Sequence, residues 1–242
     1  MIVHKMRSMA FRGTALLALV VAGGMRPAAA LPSFARQTGM ECSACHIGAY
    51  GPQLTATGIR FKPGGYTDGD SGHIPVSGMA VATFTHTRED QDPAPDHLKS
   101  NDNLSLAEVS AFLGGRVTEH TGAFVQVTHN GIDHSTALDQ MDLRYARTVK
   151  TGSHEAILGV SVNNNPGVQD PFNTLPAWSF PYVSSEAAFG TGEAATFLNG
   201  GVEGRVLGVS AYAFFDDHLY GELGDRKSTR LNSSHANISY AV

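Results

Sequence analysis

The 242-residue chain has little cysteine, little charge and almost no tryptophan: two cysteines, one tryptophan and 16% charged residues. Both cysteines, Cys42 and Cys45, sit within one short stretch, so no thiol is left over for a second site and a disulfide scaffold is excluded. Beyond the first thirty residues there is no apolar run approaching the roughly 20 residues that a helix needs to cross a bilayer. Membrane insertion would therefore have to use a closed β-barrel, which also satisfies every backbone hydrogen bond. Basic residues are scarce as well. Between Leu31 and Gly224 there are 10 Lys and Arg against 21 Asp and Glu, a net charge of −11. That sign disfavours nucleic acid and anionic lipid headgroups and favours cations, although it is also ordinary for a soluble protein.

The first thirty residues carry Lys5, Arg7 and Arg12, then an apolar run from Ala15 to Ala22, then Ala28-Ala29-Ala30. Basic, apolar and small-residue zones in that order predict a cleaved signal peptide over residues 1–30, with the mature chain starting at Leu31. The apolar zone is too short to be a membrane anchor. At the other end, Asp225 to His235 and Ile238 to Val242 resemble the conceptual translation of a sequencing adapter. Residues 225–242 are accordingly expected to be foreign to the protein, with the natural frame lost near Gly224. By composition alone they would pass as a polar tail.

What is present is Cys42-Ser43-Ala44-Cys45-His46. Two thiols at this spacing can add across the two vinyl groups of one haem, while the adjacent imidazole ligates the iron from below. Cys42, Cys45 and His46 are thus the expected attachment and proximal-ligand residues of a single covalent haem c. A thioredoxin-like redox pair would require a βαβ pattern nearby, and a zinc site would require more Cys or His at ligand spacing. The chain supplies neither. For the distal iron ligand the candidates are Met79 and His73; Met40 is too close to Cys42 to reach the opposite face, and an open or water-bound position also remains.

The stretch Leu31-Pro32-Ser33-Phe34-Ala35-Arg36-Gln37-Thr38-Gly39-Met40 before this motif, with Leu54-Thr55, Gly58, Phe61-Lys62 and Gly65-Tyr66 after it, resembles the monohaem cytochrome-porin fusions of bacterial outer membranes. That family includes Fe(II)-oxidising outer-membrane cytochromes. The resemblance implies a haem segment at residues 31–72 joined to a porin-like barrel beginning at residue 73, and it makes extracellular Fe(II) the expected electron donor. The chain departs from the family at Gly58-Ile59-Arg60, where Arg usually follows the glycine directly. Arg36 is open between a haem-propionate partner and a solvated surface residue.

From about Val76 the residues alternate with period two in segments of about ten, as outer-membrane strands do. Ala107, Val109, Ala111, Leu113 and Val117 oppose Glu108, Ser110, Gly114 and Arg116; Met141, Leu143 and Tyr145 oppose Gln140, Asp142 and Arg144. A soluble antiparallel sandwich alternates too, with its apolar side turned inward. The connections alternate long (88–103), tight (119–122), medium (131–137), tight (150–153) and very long (164–194), in keeping with short inner turns and long outer loops. The expected fold is mainly β: a short α/coil haem segment, then an antiparallel outer-membrane β-barrel of which residues 73–224 supply about seven or eight strands.

These features predict one-electron transfer across the outer membrane, from Fe(II) or another external donor to a periplasmic carrier such as a soluble cytochrome or copper protein. The lipid of the outer membrane would be the barrel's solvent. A second class is a diffusion porin or binding barrel with the haem segment as a structural or cytochrome-docking plug. A third is haem catalysis at an open distal site. The acidic loop residues Glu89, Asp90, Asp92, Asp96 and Asp102, with His97, are a candidate attractor for ferrous ions or a solvated loop.

Overall fold

The computed structural model describes residues 32–49, 51–70, 72, 74–177, 187–188, 202, 204–228 and 234–241. The expected signal peptide and His73 lie outside the described residues.

The protein is mainly β. Among the described residues three short helices come first, α1 (Pro32–Thr38), α2 (Cys42–Cys45) and α3 (Ala56–Phe61). Eight strands follow: β1 (Val76–Thr85), β2 (Asn103–Arg116), β3 (Thr121–Asn130), β4 (Ser135–Thr151), β5 (His154–Asn163), β6 (Val206–Phe215), β7 (Leu219–Ser228) and β8 (Ser234–Ala241). A 3-10 turn (Pro166–Gln169) and the short helix α4 (Thr174–Ala177) lie between β5 and β6. Each strand pairs antiparallel with the next in one sheet, whose edges are β1 and β8. The turns at 117–120, 152–153 and 216–218 are tight and share one end of the sheet; the longer connections at 86–102, 131–134 and 164–205 share the other. No helix among the described residues is long and apolar enough to cross a membrane.

Alternation in the sequence becomes a division between two faces, because successive side chains of a strand point to opposite sides. Across the paired rows Leu113, Val125 and Met141 share a face, as do Tyr145, Val160, Ala211 and Leu223. This apolar face is uncovered: Leu143, Leu158 and Val160 are each 43% exposed. The other face carries Asp142, Arg144, Ser161 and Asn163, all 0% exposed. A sandwich would bury the first set and wet the second, so the sheet is opposite in sense to that alternative. One detail differs from the expected alternation. A bulge pairs Val81 with Glu108 and Ala82 with Leu106, leaving Ala107 unpaired, so Leu104 and Leu106 continue the row of Val109 rather than Ala107.

The apolar row of β7 runs through Leu219 and Leu223, then changes at Asp225 and Lys227, which pair with Val209 and Leu207. Arg226, on the polar face, is buried with none of its three guanidinium nitrogens hydrogen-bonded. The break in pattern coincides with the start of the stretch that resembles an adapter. Among the described residues, seven strands begin within 73–224, where about seven or eight were expected; β8 falls inside the stretch that resembles an adapter, which was expected to contribute none.

Residues 32–70 are held against the polar face. Phe34, Phe61 and Tyr66 form their own small aromatic core, with ring centroids 5.1 to 5.9 Å apart. Such pairs add about 0.5–1.5 kcal/mol each beyond area burial. Gly122 of β3 lets the segment approach, since a Cβ there would overlap the carbonyl oxygen of Gly65.

Candidate haem-attachment site

Cys42 and Cys45 occupy the two ends of the single turn α2, and His46 follows as its C-cap in extended conformation, with φ −121° and ψ 134°. Neither cysteine is in a disulfide, and both are half-buried. The turn closes through the amide of His46 donating to the Cys42 carbonyl at 2.8 Å. Beyond it, His46 makes a two-residue bridge with Leu54, and the amide of Ile47 donates to the Gln53 carbonyl at 3.0 Å. The two sulfurs and the imidazole are thereby carried on one hydrogen-bonded local unit.

Burial pushes the Cys42 and Cys45 thiols up, so both are protonated at neutral pH; the neighbouring Glu41 and Cys42 add to this, respectively. The His46 imidazole moves the other way: burial favours its neutral form, partly countered by the carbonyls of Gly51 and Gln53. A neutral imidazole is the form that binds iron. The buried Nδ1 of His46 has no hydrogen-bond partner. Met40 and Ile47 flank the motif with 43% and 55% of their surfaces exposed. Two thiols, one neutral imidazole and exposed apolar surface are the donor set and surroundings a c-type haem requires, and the residues present fit that group. Among the described residues no three His, Cys, Asp or Glu side chains are grouped to hold a bare metal ion.

No family model matches this chain, and neither does any curated protein or solved structure. The site therefore rests on its own geometry.

Of the distal candidates, His73 lies outside the described residues. Met79 is on β1, opposite Ser110 and so on the polar side of the sheet, and it is exposed. Arg36 is exposed, as a surface residue would be, and its Nη2 also donates to the carbonyls of Ile74 at 3.1 Å and Val76 at 2.6 Å, tying α1 to the start of β1. Arg60 pairs with Glu155 and, at 2.5 Å, with Asp217, fastening α3 to the tight-turn end of the sheet. The acidic loop does not converge on a cation site. Asp102 pairs with His86 at 2.8 Å, and Asp90 accepts from Asn101.

The contacts that seat the segment were not read from the sequence. Gln37 donates through Nε2 to the carbonyls of Tyr66 and Asp68, both at 2.7 Å, and accepts from the amide of Arg116 at 2.7 Å. Tyr66 donates to Asp142 Oδ2 at 2.6 Å; Arg144 Nε reaches the same oxygen at 2.6 Å, and Ser161 donates to Oδ1 at 2.8 Å. Burial and the Asp142 carboxylate hold the Tyr66 phenol well above its usual range. Lys62 is buried and donates to the Asp170 carbonyl at 2.7 Å and to Asn173 Oδ1 at 2.6 Å. Desolvation and the Arg144 guanidinium lower its pKa to about 7 against the pull of Asp142, Asp170 and Glu222. Asn173 in turn donates to the Pro52 carbonyl at 2.9 Å. The connection between β5 and β6 thus folds back from the far end of the sheet to touch the segment that bears the cysteines.

Proposed function

We propose that this chain is an outer-membrane electron carrier: a porin-like barrel whose wall is the described sheet and whose interior holds a segment bearing one covalent haem c. The observation that carries the reading is the inverted sheet. Its apolar face is bare and its polar face is occupied by the segment with Cys42, Cys45 and His46. An exposed apolar band with polar residues inside matches the division between lipid and lumen in transmembrane barrels.

When bound, a c-type haem supplies a one-electron Fe(III)/Fe(II) couple. In this reading Cys42 and Cys45 tether the macrocycle and His46 ligates the iron, with Met79 or His73 as the distal candidates. Gln37, Tyr66, Arg60 and Lys62 fix the segment to the wall, so that the ligand set is held at one place in the barrel. An external donor, with Fe(II) favoured by the resemblance, meets the site from the long-loop end, and a periplasmic cytochrome or copper protein meets it from the tight-turn end.

The test is export of the full chain with a haem-maturation system, recovery from the outer membrane, and stopped-flow mixing with Fe(II). The proposal expects the haem bands to convert to the reduced form. Haem that stays oxidised at millimolar Fe(II), together with solute flux through the same protein in liposomes, would favour the porin with a structural plug instead.

A further inference from the structure

We infer that Thr55 and Gly58 are positioning residues for the proximal ligand, acting on His46 through the carbonyl groups at the end of α2. This inference rests on the haem reading above and concerns how the attachment turn is aimed. A one-turn helix leaves its last carbonyls without intrahelical partners, and such groups must be satisfied from elsewhere or by water. Here one residue does most of this. Thr55 Oγ1 donates to the Ala44 carbonyl at 2.5 Å, and the Thr55 amide donates to the Cys45 carbonyl at 3.0 Å. The same hydroxyl accepts from the amide of Gly58 at 3.4 Å, which makes Thr55 the N-cap of α3. The two helices are thus joined head to tail through a single side chain.

Gly58 sets how closely they meet. A Cβ at this position would overlap the Cys45 carbonyl oxygen and would lie 2.9 Å from the Leu54 side chain. Both clashes involve the peptide that leads directly into His46 or the residue that bridges to it. Since α3 is itself anchored to the sheet by Arg60, the orientation of the His46 backbone is referred to the barrel wall through Gly58 and Thr55. A valine at 55 keeps the shape of threonine and its amide, but leaves the Ala44 carbonyl and the Gly58 amide without the hydroxyl. An alanine at 58 forces the Cys45 peptide away from α3.

The experiment compares wild type, Thr55→Ser, Thr55→Val and Gly58→Ala, all co-expressed with haem-maturation proteins. Covalent haem by pyridine haemochrome is normalised to folded barrel, scored by heat-modifiable gel migration so that a variant that misfolds is not counted. The iron–imidazole stretching band in resonance Raman spectra and the midpoint potential are read on the haem-loaded fraction. Thr55→Ser should match wild type. Thr55→Val should shift the stretching band and lower haem per folded barrel several-fold, and Gly58→Ala should lower it further. Wild-type bands, potential and haem content in both Thr55→Val and Gly58→Ala would overturn the inference while leaving the haem reading intact. A wild-type protein that itself carries no haem would overturn both.

Discussion

Replacing Tyr66 by Phe removes one oxygen from the seat of the segment and leaves the rest of its contacts in place. The ring stays stacked on Phe34, 5.5 Å between centroids, and edge-on to Phe61 at 5.9 Å. What disappears is the bond from the phenol to Asp142 at 2.6 Å, at a residue only 5% exposed. A hydrogen bond to a charged partner contributes about 1.5–3 kcal/mol net. Asp142 keeps Arg144 and Ser161, so its charge is not stranded and the loss should fall within that range. Every 1.4 kcal/mol is tenfold, so local opening of residues 61–70 should become about ten- to hundredfold more populated. Hydrogen exchange by mass spectrometry reads this directly, because amide protection reports local opening free energy. Faster exchange confined to residues 61–70, with β3 to β5 unchanged, is the expected result. Unchanged exchange in that stretch would refute the claim that the Tyr66–Asp142 contact seats the segment.

Asp142→Ala should be worse than Tyr66→Phe, by about 3–5 kcal/mol in total, because it leaves Arg144 charged and fully buried; thermal or denaturant unfolding checks the order. Leu158→Arg or Val160→Arg should cost about 2–4 kcal/mol of folding stability in liposomes if the bare face meets lipid, whereas an exposed site on a water-soluble sheet would change by less than about 0.5 kcal/mol. Lys62 predicts a pH dependence with a definite sign. Its pKa in the docked state is about 7 against an ordinary value of 10.5, so between these values the undocked segment holds a proton that the docked one lacks. Docking should therefore strengthen as pH rises from about 7 to about 10 and be flat below 7. Lys62→Met should abolish that slope in hydrogen-exchange protection of the segment.

Strand positions were legible because period-two alternation and turn spacing are local properties. The strand starting at Val76 and the tight turns near 119–122 and 150–153 emerge at the expected places. The Cys42 to His46 motif, on which the haem proposal rests, stands out in the sequence for the same reason, since it occupies five consecutive residues. The seat of the segment was not. Asp142 and Arg144 were read as lumen-facing polar residues, but their partners Tyr66 and Val168 lie 76 and 24 residues away. Nothing in either stretch alone marks the contact. Arg36 shows the limit differently: guanidinium chemistry alone does not point to a particular carbonyl, and only the approach of α1 to the start of β1 brings its Nη2 to those of Ile74 and Val76. The bulge at Ala107 was invisible because it is defined by the pairing of β1 with β2, which neither stretch shows alone.

The most direct test of the account is intact mass spectrometry, with an absorption spectrum, of the chain extracted from outer membranes of cells that mature c-type cytochromes. The expected result is a polypeptide starting at Leu31, heavier by one haem, with a Soret band that is lost from a Cys42→Ala, Cys45→Ala double variant. A polypeptide of unmodified mass with two alkylatable thiols and no Soret band would contradict it.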